Sequence, residues 1–147
     1  MRETAVFLMN TRKRQKLYDL FCRQAPKDYG LTRNELDVLL FLANNQGYDT
    51  ARDIVELRGL TKSHVCKSVD SLIRRGYLRG EQDKRDRRLI HLELTEEAGA
   101  AARAGQAAQR RFKEVLYRGL SGEERTAVER ISRKMAENVE REIENLK

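Results

Sequence analysis

Residues 60–95 read LTKSHVCKSVDSLIRRGYLRGEQDKRDRRLIHLELT, and the change of period along this stretch decides the fold. Val65, Val69, Leu72 and Ile73 recur at helical spacing, and at ~100° per residue they gather in a sector about 100° wide. Thr61 is placed to cap this helix, which is expected to run to about Arg75 before Gly76 stops it. Tyr77-Leu78-Arg79 and residues 89–94 then carry β-favouring side chains, the second run alternating apolar and polar. Between them, Asp83-Lys84-Arg85-Asp86-Arg87-Arg88 is too charged for a core and too long for a two-residue turn. A hairpin loop that lies in solvent or against a polyanion is the expected result. A helix with a basic outer face followed by such a hairpin is the layout of a winged helix-turn-helix.

Upstream, residues 5–25 place Val6, Phe7, Met9, Leu17, Leu20 and Phe21 near helical spacing, with an end expected before Pro26 and Gly30. Thr32-Arg33-Asn34-Glu35 reads as a capping box for a helix over Arg33–Asn44. Thr50 and Asp53 offer a second cap, for a short helix carrying Ile54, Val55 and Leu57 that stops at Gly59. Downstream, Thr95 with Glu96 and Glu97 is expected to open a helix reaching toward Tyr117, with Gly119 as its stop. Ser121-Gly122-Glu123-Glu124 is a third capping box, opening a last helix with Val128, Ile131, Met135, Val139, Ile143 and Leu146 in one stripe.

The fold class that follows is mainly α with a small β-wing. Residues 31–94 are expected to form the winged module, and 1–30 with 95–147 a helical dimerisation region. A terminal helix with one apolar face must bury it, and a three-helix module supplies only part of the partner surface. An isologous homodimer through the terminal helices would cover both stripes.

Composition bounds the alternatives. The 147 residues are 36% charged and 39% hydrophobic, with one proline and nine glycines, which suits a soluble, mostly helical chain. No run approaches the roughly 18 apolar residues of a membrane span, and residues 1–4 precede no apolar signal core, so no membrane association and a cytoplasmic location are expected. Two distant cysteines make no disulfide framework.

Charge points to a partner. Residues 60–88 hold nine Lys or Arg against four acids, a surplus of five in a chain whose net charge is +7. A basic excess concentrated on one module is the footprint of a phosphate-binding protein, although basic faces also serve solubility, membranes and acidic partners. On the helix, Ser63, Lys67, Ser71 and Arg74 fall opposite the apolar sector, with His64 at the flank. Double-stranded DNA is the expected ligand. Ser63, His64 and Lys67 are candidates for the groove, Lys62 and Arg74 for phosphates, and Arg85 and Arg87 for contacts from the wing, with Arg85 at its tip.

Taken in order, Leu31-Thr32, Leu60-Thr61-Lys62-Ser63, Val69-Asp70-Ser71-Leu72, Arg75-Gly76-Tyr77-Leu78, residues 83–88 and Leu92-Glu93-Leu94-Thr95 resemble the pattern of the MarR-type transcriptional regulators of bacteria and archaea. The resemblance covers nearly the whole chain. It implies a homodimer on a pseudo-palindromic operator, most often a repressor, with Arg85 at the wing tip and Asp83 and Arg88 holding the wing. Members commonly carry Ser or Thr where this chain has Cys66. The resemblance also implies a pocket for a small anionic or aromatic effector between the dimerisation helices and the DNA-reading module. Arg12, Lys13, Arg14 and Lys16 could neutralise such an anion, or form a solvated face.

No enzyme is expected. His64 and Cys66 lie about 200° apart on a helix, which defeats a nucleophile and base pair and a metal site alike. Metal-ligand spacings and glycine-rich phosphate loops are missing, so no catalytic residue, metal or cofactor is assigned. Some relatives sense oxidants through a cysteine on the first helix, which makes Cys22 a redox candidate, with core packing as its default role. A winged-helix protein–protein adaptor stays open, because fold alone does not fix function.

Overall fold

The computed structural model describes residues 2–147. Its elements are α1 (Glu3–Phe21), α2 (Gln24–Tyr29), α3 (Arg33–Asn44), α4 (Ala51–Asp53) running into a wider π-type turn (Ile54–Arg58), α5 (Lys62–Arg74), β1 (Leu78–Gln82), β2 (Ile90–Leu94), a 3-10 turn (Glu96–Ala98), α6 (Gly99–Leu116) and α7 (Gly122–Leu146). This is a mainly helical winged helix-turn-helix, with a two-stranded antiparallel wing. The chain divides into two compact units, Met1–Phe112 and Lys113–Lys147.

The first unit is built around α3. Its Thr32–Glu35 capping box is reciprocal, the Thr32 hydroxyl accepting from the Glu35 amide and Glu35 accepting from the Thr32 amide. Two free amides of the first turn are thereby satisfied. Val38 and Leu39 are completely buried, and with Ile54, Val65 and Leu72 they pin α3, the π-type turn and α5 together, while Leu36, equally buried, packs with Ala25 and Leu40 on the other side of α3. The turn between α4 and α5 is short because Gly59 adopts φ 73°, a left-handed conformation that disfavours a side chain. Small residues on α6, namely Ala101, Ala102, Gly105 and Ala108, are buried, and Gly105 faces Leu40 of α3.

Four expectations needed correction. The first helix ends at Phe21, and Pro26 lies inside a separate helix, α2. There it is the third helical residue, where its missing N–H would have no intrahelical partner anyway. β1 extends to Gln82, because Gly80-Glu81-Gln82 pair with Leu92-His91-Ile90 despite weak β propensity. Ile73 is 39% exposed, while Ser68 takes a buried place on the inner face of α5. Thr95 occupies an extended cap position without capping the following turn: its hydroxyl donates to the Gly76 carbonyl at 2.6 Å.

The second unit holds α7, opened by the Ser121–Glu124 capping box. Lys113 pairs with Glu129 at 3.2 Å. Ile131, Met135, Val139, Ile143 and Leu146 are all exposed along α7. α1 likewise exposes Val6, Phe7, Leu8 and Met9.

Candidate nucleic-acid interface

α5 sorts its residues cleanly. Val65, Ser68, Val69 and Leu72 are buried, while Lys62, Ser63, His64, Cys66, Lys67, Asp70 and Arg74 are exposed. The Thr61 hydroxyl accepts from the His64 amide at 3.3 Å, fixing the start of the helix. His64, Lys67, Ser71 and Arg74 line a recess together with Thr32 and Asn34 at the start of α3. Amides, hydroxyls and cations at a helix start are the donor set that phosphates accept from.

Ser71 departs from the expected outward face. Its hydroxyl donates to Glu35 Oε2 at 3.1 Å, and Arg75 meets the same oxygen at 3.3 Å. Glu35 therefore serves both as the capping partner of α3 and as the anchor for the C-terminal turn of α5. Arg33 and Arg58 converge on the half of α3 that carries Asp37, at 3.1 Å and 3.8 Å. Asp37 is held by Arg33 and Arg58, whereas Glu35 orients α5 and also lines the recess beside His64, Lys67 and Arg74.

The wing is held by Asp83. Its Oδ2 accepts from the amides of Arg85 at 2.8 Å and Asp86 at 2.7 Å, and its Oδ1 lies 2.7 Å from His91 Nε2. These bonds hold its carboxyl down to about 2, the His91 contact acting most strongly. Arg88 pairs with Asp86 at 3.1 Å, not with Asp83, and two of its donors reach that carboxylate. Arg88 also holds the Asp86 carboxyl below the usual carboxylate range. Lys84, Arg85 and Arg87 remain exposed. The loop thus spends its acids on its own backbone and on Arg88, leaving Arg85 and Arg87 outward.

Against this geometry the comparisons are specific. The model of the MarR family matches residues 29–89, the span from α2 through the wing loop. Over this span, which is the winged module, the chain is similar to the MarR family. A MarR protein from Peptoclostridium difficile is similar over 100% of this chain and 94% of its own, at 21% identity and a TM-score of 0.78. BpsR of Bordetella bronchiseptica, whose DNA binding is regulated by 6-hydroxynicotinic acid, aligns over 91% of this chain and 99% of its own at 25% identity and a TM-score of 0.68. A MepR mutant of S. aureus bound to an oligodeoxyribonucleotide covers 95% of this chain and 99% of its own, at 21% identity and a TM-score of 0.54. A comparison with curated proteins finds no match. The likeness to the family model and to these structures supports a DNA-binding transcriptional regulator as the broad class of the chain.

Two features of this chain escaped the sequence reading. His91 joins Asp83 to Asp49, a residue 42 positions away. The Glu35–Ser71–Arg75 cluster spans up to 40 positions. The only local signal for His91 was a polar residue in an alternating strand. Cys22 is fully buried, and burial pushes its thiol up. Among the described residues, no group of His, Cys, Asp or Glu is placed to hold a metal, and no helix is long and apolar enough to cross a membrane.

Proposed function

We propose that this regulator reads duplex DNA by sequence, as a homodimer, and represses transcription from a pseudo-palindromic operator. The observation that carries the reading is the sorting of α5 and the wing. Ser63, His64 and Lys67 are exposed on a helix fit for a major groove, with Lys62 and Arg74 at the positions for phosphates. Arg85 and Arg87 stand free on a loop suited to the adjacent minor groove, and Asp83 and Arg88 hold that loop. Residues 31–94 form the reading module in this proposal. Residues 1–30 and 95–147 form the dimerisation region, burying against a second copy the apolar residues that α1 and α7 expose.

A small anionic or aromatic effector would act by preferring one spacing of the two recognition helices, and its effect cannot exceed its differential affinity for the two spacings. The regulation of BpsR by 6-hydroxynicotinic acid supports this part of the reading by analogy. Burial of Cys22 favours a packing role for that thiol over redox sensing.

The test is binding-site selection from genomic DNA at several salt concentrations. A salt-tolerant inverted repeat, with half-sites about one helical turn apart, is expected. Lys67→Ala or Arg85→Ala should then weaken binding by about 1–3 kcal/mol where the side chain contacts a base. Purely salt-sensitive attraction without a selected site would defeat the operator reading and favour a protein adaptor.

A further inference from the structure

His91 sits on β2 opposite Glu81, and both of its ring nitrogens meet carboxylates. Nδ1 lies 2.8 Å from Asp49 Oδ1 and Nε2 lies 2.7 Å from Asp83 Oδ1. A neutral imidazole has one N–H, whereas two carboxylates at these distances require two donors. The group in this geometry is an imidazolium.

Its two partners lead to different parts of the module. Asp49 lies in the segment before α4, and its carbonyl accepts from the Leu92 amide at 2.8 Å, fastening that segment to β2. Asp83 opens the wing loop, and its other oxygen holds the amides of Arg85 and Asp86. A continuous path of charge-assisted bonds therefore runs from Asp49 through His91 and Asp83 to the backbone of Arg85. We infer that His91 is a positioning residue for DNA reading, a cation that ties the wing loop to the segment before α4 and so sets where Arg85 stands relative to α5. This rests on the reading of Arg85 as a DNA contact.

The charged groups facing His91 are Asp49 from the segment before α4, Asp83 from the wing loop, Arg79 and Glu81 from β1, and Glu93 from its own strand. Bonding to Asp83 and then to Asp49 raises the imidazole from 6.5 to about 9. A raised value means the clasp is complete below 6.5, fades above it, and is lost as pH rises through about 9.

The test uses the full chain, wild type and carrying His91→Gln, His91→Arg or Arg85→Ala. Affinity for the selected operator is measured at fixed salt over about pH 6–10. Carbon-detected NMR follows the His91 ring and the Lys84 and Arg85 carbonyls, which share their peptide units with the two amides bonded to Asp83, without DNA over the same range. Wild-type affinity should fall several-fold across the His91 titration, with the two carbonyl shifts moving at the same midpoint. His91→Gln should bind several-fold more weakly near neutral pH and lose that step; His91→Arg, a permanent cation with several donors, should restore affinity and also lose the step. Wild-type affinity in His91→Gln, with Lys84 and Arg85 carbonyl shifts that ignore the His91 titration, would overturn the inference. If Arg85→Ala leaves operator affinity unchanged, the Arg85 reading fails, and with it the role of His91 in DNA reading, whatever the carbonyl shifts do. If His91→Gln does not fold, the wild-type pH profile and His91→Arg decide in the same way.

Discussion

Glu35 and Arg75, 40 positions apart in sequence, meet at 3.3 Å through Oε2 and a guanidinium nitrogen. Because Glu35 also closes the α3 capping box, the start of α3 is fastened to the end of α5 through a single carboxylate. Glu35→Ala removes the cap bond and strands Ser71 and Arg75 at the end of α5. A loss of about 2–3 kcal/mol in urea unfolding is expected. Wild-type stability in this variant would show that the cluster is ornamental.

Gly105 faces Leu40 so closely that an added Cβ would lie 2.8 Å from one Leu40 methyl and 3.0 Å from two further side-chain atoms. Leu40 is 3% exposed and has little room to yield. Overpacking costs about 1–3 kcal/mol, and alanine's better helix propensity returns at most about 1 kcal/mol. Gly105→Ala should therefore lower the thermal midpoint, whereas a gain would mean that Leu40 repacks freely.

The wing should behave asymmetrically with acid and base. Asp83 is lowered from 3.8 to about 2, so its contribution is complete above 3.8 and is lost as pH falls through about 2. Carboxyl carbon shifts of Asp83 should show no titration step at ordinary aspartate values. A midpoint near 3.8 would contradict the bonds to Arg85, Asp86 and His91.

The two cysteines should separate in reactivity. Cys22 is fully buried with its thiol pushed up, while Cys66 is exposed on α5. A thiol reagent followed by peptide mass spectrometry should label Cys66 promptly and Cys22 only on unfolding. Prompt labelling of Cys22 in the native protein would revive the redox reading.

Met135 stands near the middle of the exposed α7 stripe, 43% accessible. Under the dimer proposal, Met135→Glu places a charge in an apolar interface and should shift the mass seen by light scattering toward the monomer. An unchanged dimer would move the interface off α7.

Local rules carried the reading of α3, α5 and α7, because Thr32, Thr61 and Ser121 cap where a cap residue precedes an apolar helical period. The charged loop between the strands was equally legible, since no core could hold residues 83–88. The order and spacing of these motifs were also enough to suggest the family whose model matches residues 29–89.

What required the tertiary structure was every decision between two locally acceptable places for a side chain. Pattern put Ile73 inside and Ser71 outside, but packing exposes Ile73, and the buried Glu35 carboxylate draws Ser71 inward. Thr95 could have capped a helix, yet its hydroxyl donates to the Gly76 carbonyl and makes no cap bond. Above all, His91 acquires its charge and its role only when folding brings Asp49 and Asp83 to its two nitrogens. Periodicity records which face of an element is apolar. It does not record which distant polar group completes a buried or bridging hydrogen bond, because that partner is chosen by three-dimensional proximity, not by spacing along the chain.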